Sequence, residues 1–239
     1  MKEVTLIMYS HDSYSDAWPL FFGQSEKYLS GIKKALFTNK SNDTVPSDWE
    51  VVLYDDNLLY TEKMLMCLDK IKTDVCFIHQ EDMPLYKTPK LEKIEELSSI
   101  LMKGNLDFIK LIRATDNLNL SLKYDNVYAI PRSSPCLFAI QPSLWKTNSL
   151  RTVYEKTKCE KNTAAGFETY AQETCRGNKI NGCFYYEGEP KRGSFHYDSN
   201  IYPYIATAIV AGKWNVSEYP ELKELLEKYD IDSSMRGVA

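Results

Sequence analysis

The sequence predicts an α/β fold, a mostly parallel sheet flanked by helices, and three observations predict it. Short apolar, β-rich runs alternate with stretches of helical periodicity through the first half of the chain. One of these runs, residues 75–78, is apolar throughout, as a strand covered on both faces must be. Several runs empty directly into polar clusters, as strands do when their carboxyl ends border a binding crevice.

Taken in order, residues 4–9 read as a buried strand opening into Ser10-His11-Asp12-Ser13. Residues 18–29 carry Trp18, Phe21, Phe22, Tyr28 and Leu29 at helical spacing, with Asp16 as the expected N-cap and Pro19 in the first turn. A second strand is expected at 34–38, a polar turn-rich stretch at 39–48, and a third strand at 49–54, ending in Asp55-Asp56. Residues 61–71 form a helix with Met64, Leu65, Leu68 and Ile71 on one face. The 75–78 strand follows and runs into His79-Gln80-Glu81-Asp82. A helix at 91–102 and a strand at 106–112 continue the alternation.

Beyond about residue 120 the pattern loosens. Strands are expected at 127–130, 136–140 and 183–186, and helices at 167–176 and 218–228, with a loop over 190–204. No repeat, low-complexity tract or linker interrupts the chain, so one domain is expected over 1–239.

Composition narrows the function. A length of 239 residues with 44% hydrophobic content suits one sizeable core. A formal charge of -4 argues against a general nucleic-acid binder, which needs a basic face to neutralise phosphates. The six cysteines include no CxxC pair, so no zinc site is expected. No run approaches a membrane span and the N-terminal apolar run is too short for a signal peptide, so the expected location is cytoplasmic. P-loop, GxGxxG and GxSxG motifs are all missing, which weakens kinase, dehydrogenase and hydrolase readings.

The chemistry concentrates at strand ends. If the sheet is parallel, Ser10-His11-Asp12, Asp55-Asp56-Asn57 and Gln80-Glu81-Asp82 share one rim. Glu81 and Asp82 are the sharpest element, because adjacent acids after a buried strand suffer desolvation and mutual repulsion. A divalent cation, Mn²⁺ or Mg²⁺, together with substrate phosphates would relieve both; the plainer alternative is a loop whose acids cap the next helix or meet solvent. His196, on a late polar loop, either closes over a metal diphosphate or is a surface histidine.

These segments resemble GT-A-fold glycosyltransferases. The residues that carry the resemblance are Ser10-His11-Asp12-Ser13-Tyr14-Ser15-Asp16, Tyr60-Thr61-Glu62-Lys63-Met64-Leu65, Ile78-His79-Gln80-Glu81-Asp82, Gln141-Pro142-Ser143-Leu144-Trp145-Lys146, Gly166-Phe167-Glu168 and Gly212-Lys213-Trp214-Asn215. The chain looks most similar to small transferases of bacterial surface-polysaccharide loci and large DNA viruses.

The resemblance implies a GT-A-like architecture, with a nucleotide-sugar-binding part over 1–120 and an acceptor-side part with a C-terminal helix over 121–239. It implies that Ser10, His11, Asp12, Asp55 and Asp56 hold the donor nucleoside and that Lys63 approaches the donor sugar or diphosphate. Glu81 and Asp82, with His196, would serve the metal in place of a DxD motif, although the chain reads Gln-Glu-Asp there. Glu168 would be the general base, its alternative being a first-turn helix acid favoured by the dipole. Gln141 and Trp145 would form the acceptor side, Trp145 either stacking on a sugar or packing in the core. Lys191 and Arg192 either touch the diphosphate or are solvated.

The implied activity is hexosyl transfer from a nucleoside-diphosphate sugar, a UDP-sugar first, to a hydroxyl of a glycan or glycoconjugate. The alternatives are a non-catalytic nucleotide- or glycan-binding module and a nucleotidyltransferase. The latter normally needs a glycine-rich basic loop after the first strand, which residues 10–16 lack.

Overall fold

The computed structural model describes residues 3–159, 163–192 and 196–239. Its centre is an eight-stranded sheet of order β3-β2-β1-β4-β7-β5-β8-β6, built from β1 (Val4–Tyr9), β2 (Lys33–Thr38), β3 (Trp49–Leu53), β4 (Val75–Gln80), β5 (Phe108–Lys110), β6 (Val127–Ala129), β7 (Ser143–Lys146) and β8 (Gly182–Tyr185). β1 to β4 pair in parallel, with Ile7 opposite both Ala35 of β2 and Ile78 of β4. β7 lies antiparallel between β4 and β5, β8 is parallel to β5, and β6 closes the edge antiparallel to β8.

Side-chain alternation divides the core between the two faces. Leu6, Met8 and Phe77 join one cluster with Trp18 and Phe21 of α1 (Trp18–Tyr28), Ile94 and Leu97 of α3 (Leu91–Lys103), and Leu222 and Leu226 of α6 (Glu221–Lys228). Ile7, Cys76 and Ile78 join the other with Met64 and Leu68 of α2 (Tyr60–Leu68), Leu150 and Val153 of α4 (Thr147–Lys156), and Phe167, Ala171 and Cys175 of α5 (Ala164–Gly177). The six residues of β1 and of β4 are buried up to the last one, which explains their unbroken apolar runs.

Local chemistry starts the helices. Pro19 occupies the first turn of α1, where its missing N–H costs nothing. Glu62 accepts the Leu59 N–H at 2.8 Å in front of α2, one arm of a capping box. The Thr163 hydroxyl accepts the Gly166 N–H at 3.1 Å and caps α5.

Three expectations change. Ala17, not Asp16, is the N-cap of α1, because Asp16 is taken by a two-pronged ion pair with Arg236 at 2.5 Å on each arm. Residues 136–140 are not a strand: side chains from α5 satisfy their backbone. Gln172 brackets Phe138, accepting its N–H at 3.0 Å and donating to its carbonyl, and Glu168 accepts the Ile140 N–H at 2.5 Å. The strand lies further on, in β7, and is followed at once by α4, whose sparse apolar face (Leu150, Val153, Tyr154) left little periodic signal. Among the described residues, no helix is long and apolar enough to cross a membrane.

Candidate active site

The carboxyl ends of the parallel strands meet along one rim. Ser10 follows β1, Asn39 follows β2, Tyr54 follows β3 and Glu81 follows β4. Tyr54 crosses the rim and donates its hydroxyl to the Ser10 carbonyl at 2.9 Å. Two adjoining clefts open there. The first, about 430 Å³, is bordered by Tyr9, His11, Lys63, Glu81 and Asp82 and by the first turn of α5. The second, about 420 Å³, shares Gln80, Asp82, Ala164 and Ala165 with it and adds Gln141, Glu168 and His196. A larger cleft of about 780 Å³, along Ser13, Asp16 and Arg236, lies outside this pair and does not include the acids.

The first cleft rests on a charge network. Lys63, with 8% of its side chain exposed, lies 3.6 Å from Asp56 and 5.3 Å from the Tyr54 ring centre. Asp56 also meets His11 at 3.4 Å. Asn39 donates to both Asp12 and Asp56 at 2.9 Å, and its bond to Asp12 is the leading cause that holds that carboxyl below its ordinary value. Asn39 was not singled out from sequence, though strand-tip reasoning applied to β2 would have found it. Asp55 stands apart from the network, closing a local turn by accepting from the Asn57 N–H and side-chain amide at 2.9 and 2.8 Å. Ser10 is 1% exposed and works inward, accepting the Trp18 indole N–H at 2.7 Å.

Glu81 and Asp82 both border the first cleft, and Asp82 borders the second as well. Burial pushes both carboxyls above their usual range, and for Glu81 the neighbouring Asp82 adds to the shift, against a smaller opposing effect from the Ser10 hydroxyl and Arg236. The Ile209 N–H donates to the Asp82 carboxylate, while Asp82 Oδ1 is buried with no hydrogen-bond partner among the described residues. An orphaned carboxylate oxygen beside a second buried acid is a hard-oxygen donor set that fits a divalent cation. Among the described residues no group of three His, Cys, Asp or Glu side chains gathers to hold one, so the remaining positions would fall to substrate phosphates and water.

His196 (β10, His196–Tyr197, paired with β9, Lys191–Arg192) borders the second cleft and does not join the acids in such a group. Burial holds its imidazole below the ordinary value. Residues 193–195, beside it, lie outside the described residues. Arg192 is committed elsewhere, to Glu221 at 2.5 Å and Asp198 at 3.4 Å, while Lys191 is exposed.

Glu168 and Gln141 border the second cleft. Burial raises the Glu168 carboxyl, and the Ile140 N–H and then the Lys110 ammonium pull it back. Trp145 is corrected to a core residue. It is 1% exposed and stacked on Phe108 at 4.2 Å, with Phe138 at 5.8 Å, so its face is closed to a sugar.

No protein-family model and no curated protein matches the chain. Solved structures do. TarS residues 1–349 of S. aureus in complex with UDP superposes at a TM-score of 0.53 with 10% identity, over 99% of this chain and 68% of that one. The apo glycosyltransferase GlyE of Streptococcus pneumoniae TIGR4 gives 0.50 with 11% identity, over 76% and 45%. A CMP:2-keto-3-deoxy-manno-octonic acid synthetase complexed with CTP gives 0.50 with 12% identity, over 77% and 89%. The chain thus has a GT-A-like α/β fold, with the GT-A-type glycosyltransferases TarS and GlyE among its structural neighbours.

Proposed function

We propose that this protein is a glycosyltransferase that moves a sugar from a nucleoside diphosphate, a UDP-sugar first, to a hydroxyl of a glycan or glycoconjugate. The observation that carries this reading is the shared wall of the two clefts: Asp82 borders both, with the Lys63 and Asp56 network on one side and Glu168 on the other. A donor in the first cleft and an acceptor in the second would meet beside Asp82.

Each group has a role its surroundings support. The His11, Asn39 and Asp56 network offers donors and acceptors to a nucleoside. Lys63 and the first turn of α5 (Ala164, Ala165) bring positive potential to the diphosphate. Glu81 and Asp82 are the residues that would hold Mn²⁺ or Mg²⁺. When bound, the ion supplies charge that stabilises the departing diphosphate. Glu168 takes the proton of the acceptor hydroxyl, and its raised pKa brings it nearer to neutrality, where a general base works best. Attack from the side opposite the leaving group inverts the anomeric centre. The fold shared with TarS, which was solved with UDP, supports the choice of nucleotide.

A nucleotidyltransferase is the second reading, favoured by the fold shared with the CTP-bound synthetase. One experiment separates the two. Thermal shift and product analysis are run with UDP-, GDP-, CMP- and dTDP-sugars and with free CTP and UTP, each with and without Mn²⁺. Stabilisation by a UDP-sugar with slow release of UDP supports glycosyl transfer. Stabilisation only by a free triphosphate, with release of pyrophosphate when a sugar or sugar phosphate is added, would transfer the protein to the second class.

A further inference from the structure

Lys110 ends β5 and shares a sheet face with Phe108, so its side chain enters the cluster beneath α5. It is 1% exposed, and among the described residues its ammonium donates to one acceptor, the Cys136 carbonyl, at 2.7 Å. A buried charge with one neutral hydrogen-bond partner is costly to keep. Burial lowers its pKa to about 8, and the Cys136 thiol, then the Glu168 carboxylate and the Cys175 thiol, act against that shift.

The same short loop ties the two groups together: Lys110 holds its beginning at Cys136, Gln172 its middle at Phe138, and Glu168 its end at Ile140. From other elements, the buried hydroxyls of Tyr60 on α2 and Tyr154 on α4 also bear on Glu168, and burial keeps both un-ionised. Among the described residues, Lys110 is the cation whose charge acts on this carboxylate.

We propose that Lys110 is a positioning residue for Glu168: its buried ammonium anchors one end of the 136–140 loop whose other end Glu168 holds, and so sets that carboxylate at the edge of the second cleft. This rests on the reading of Glu168 as the general base. The test follows the Glu168 carboxyl itself by carbon NMR in the full chain, its signal assigned by its loss in Glu168→Gln, so no substrate is needed. In Lys110→Met, and in Lys110→Gln as a second variant, the midpoint should rise by about one pH unit, a tenfold change in ionisation. Thermal stability at neutral pH should fall without loss of the fold, because the Cys136 carbonyl and Glu168 keep their places while losing the ammonium. In turnover, the acid limb of kcat/KM should move up with the midpoint while donor KM stays constant.

An unshifted midpoint in both variants would overturn the proposal even if both were inactive. Loss of the fold in both would overturn it too, since Lys110 would then be purely architectural. A shifted midpoint with Glu168→Gln still active would uphold the coupling and remove the general-base reading alone.

Discussion

Glu81 and Asp82 at the tip of β4, and Glu168 in the second turn of α5, are acids under the same stress from burial but in different company. The first two have each other for neighbours. Glu168 has an ammonium, that of Lys110. Asp82 adds to the upward shift of Glu81, and among the described residues the cation that opposes it is Arg236, as the smallest of the effects. Glu168 carries its cation within the fold. The difference suits the roles proposed: one site would receive charge with its ligand, and the other would be ready before the ligand arrives.

The comparison can be broken most decisively at Glu168. Glu168→Gln keeps the bond-accepting oxygen for Ile140 but cannot take a proton, so turnover should fall by roughly 10²- to 10⁴-fold. Nucleotide-sugar affinity by calorimetry should stay as it was. Retained turnover would leave Glu168 a mere loop anchor.

Asp82→Asn tests the opposite site. Removing the charge should cost about tenfold in Mn²⁺-supported UDP affinity, or ~1.4 kcal/mol, and make binding indifferent to the metal. Equal Mn²⁺ dependence in variant and parent would show that the acids serve another purpose.

Glu81→Gln sharpens the contrast through pH. A carboxyl whose folded-state pKa is raised binds more protons folded than unfolded, so stability falls as pH climbs from the ordinary carboxylate value to the raised one. The variant should lose that slope and melt higher on the alkaline side. Each kcal/mol recovered corresponds to roughly 2–4 °C in a chain of this size. A melting temperature that rises with pH over this interval in the parent would contradict the burial argument.

Arg236→Ala should have the smallest effect. The guanidinium holds Asp16 and the Ser13 carbonyl and lies 4.8 Å from the Tyr14 ring. Its loss, screened by partial exposure, should cost about 1 kcal/mol or less. It should loosen the Ser13–Asp16 turn enough to raise donor KM more than it changes kcat. An unchanged KM would confine Arg236 to the outer cleft.

Legibility in the sequence follows the same division of the molecule. β1, β2 and β4 and α1 to α3 were readable because strands buried on both faces and helices with full apolar stripes leave strong periodic signals, and β3, half exposed at the sheet edge, was placed by the alternation around it. Parallel tips then led to His11, Asp56 and the acid pair, while Lys63, on α2, came from the family resemblance. The second half was harder for specific reasons. β5 and β6 stand inside expected strands, but β7 has four residues, too few for a period to emerge. Residues 136–140 look like a strand because they are apolar, with Leu137, Phe138 and Ile140 buried, but side-chain amide and carboxylate groups replace the ladder. Lys110 was hidden inside an apolar run, where a lone lysine reads as a surface residue.

The position of β7 has a consequence for the chain as it is made. β5 leaves the ribosome before β7, yet β7 must stand between it and β4. Until residues 143–146 emerge, the inner edge of β4 has no partner, and β5 has no place in the sheet to occupy. Nascent chains paused in that interval expose unpaired strand edges, the condition under which chaperones are recruited or neighbouring chains stick together.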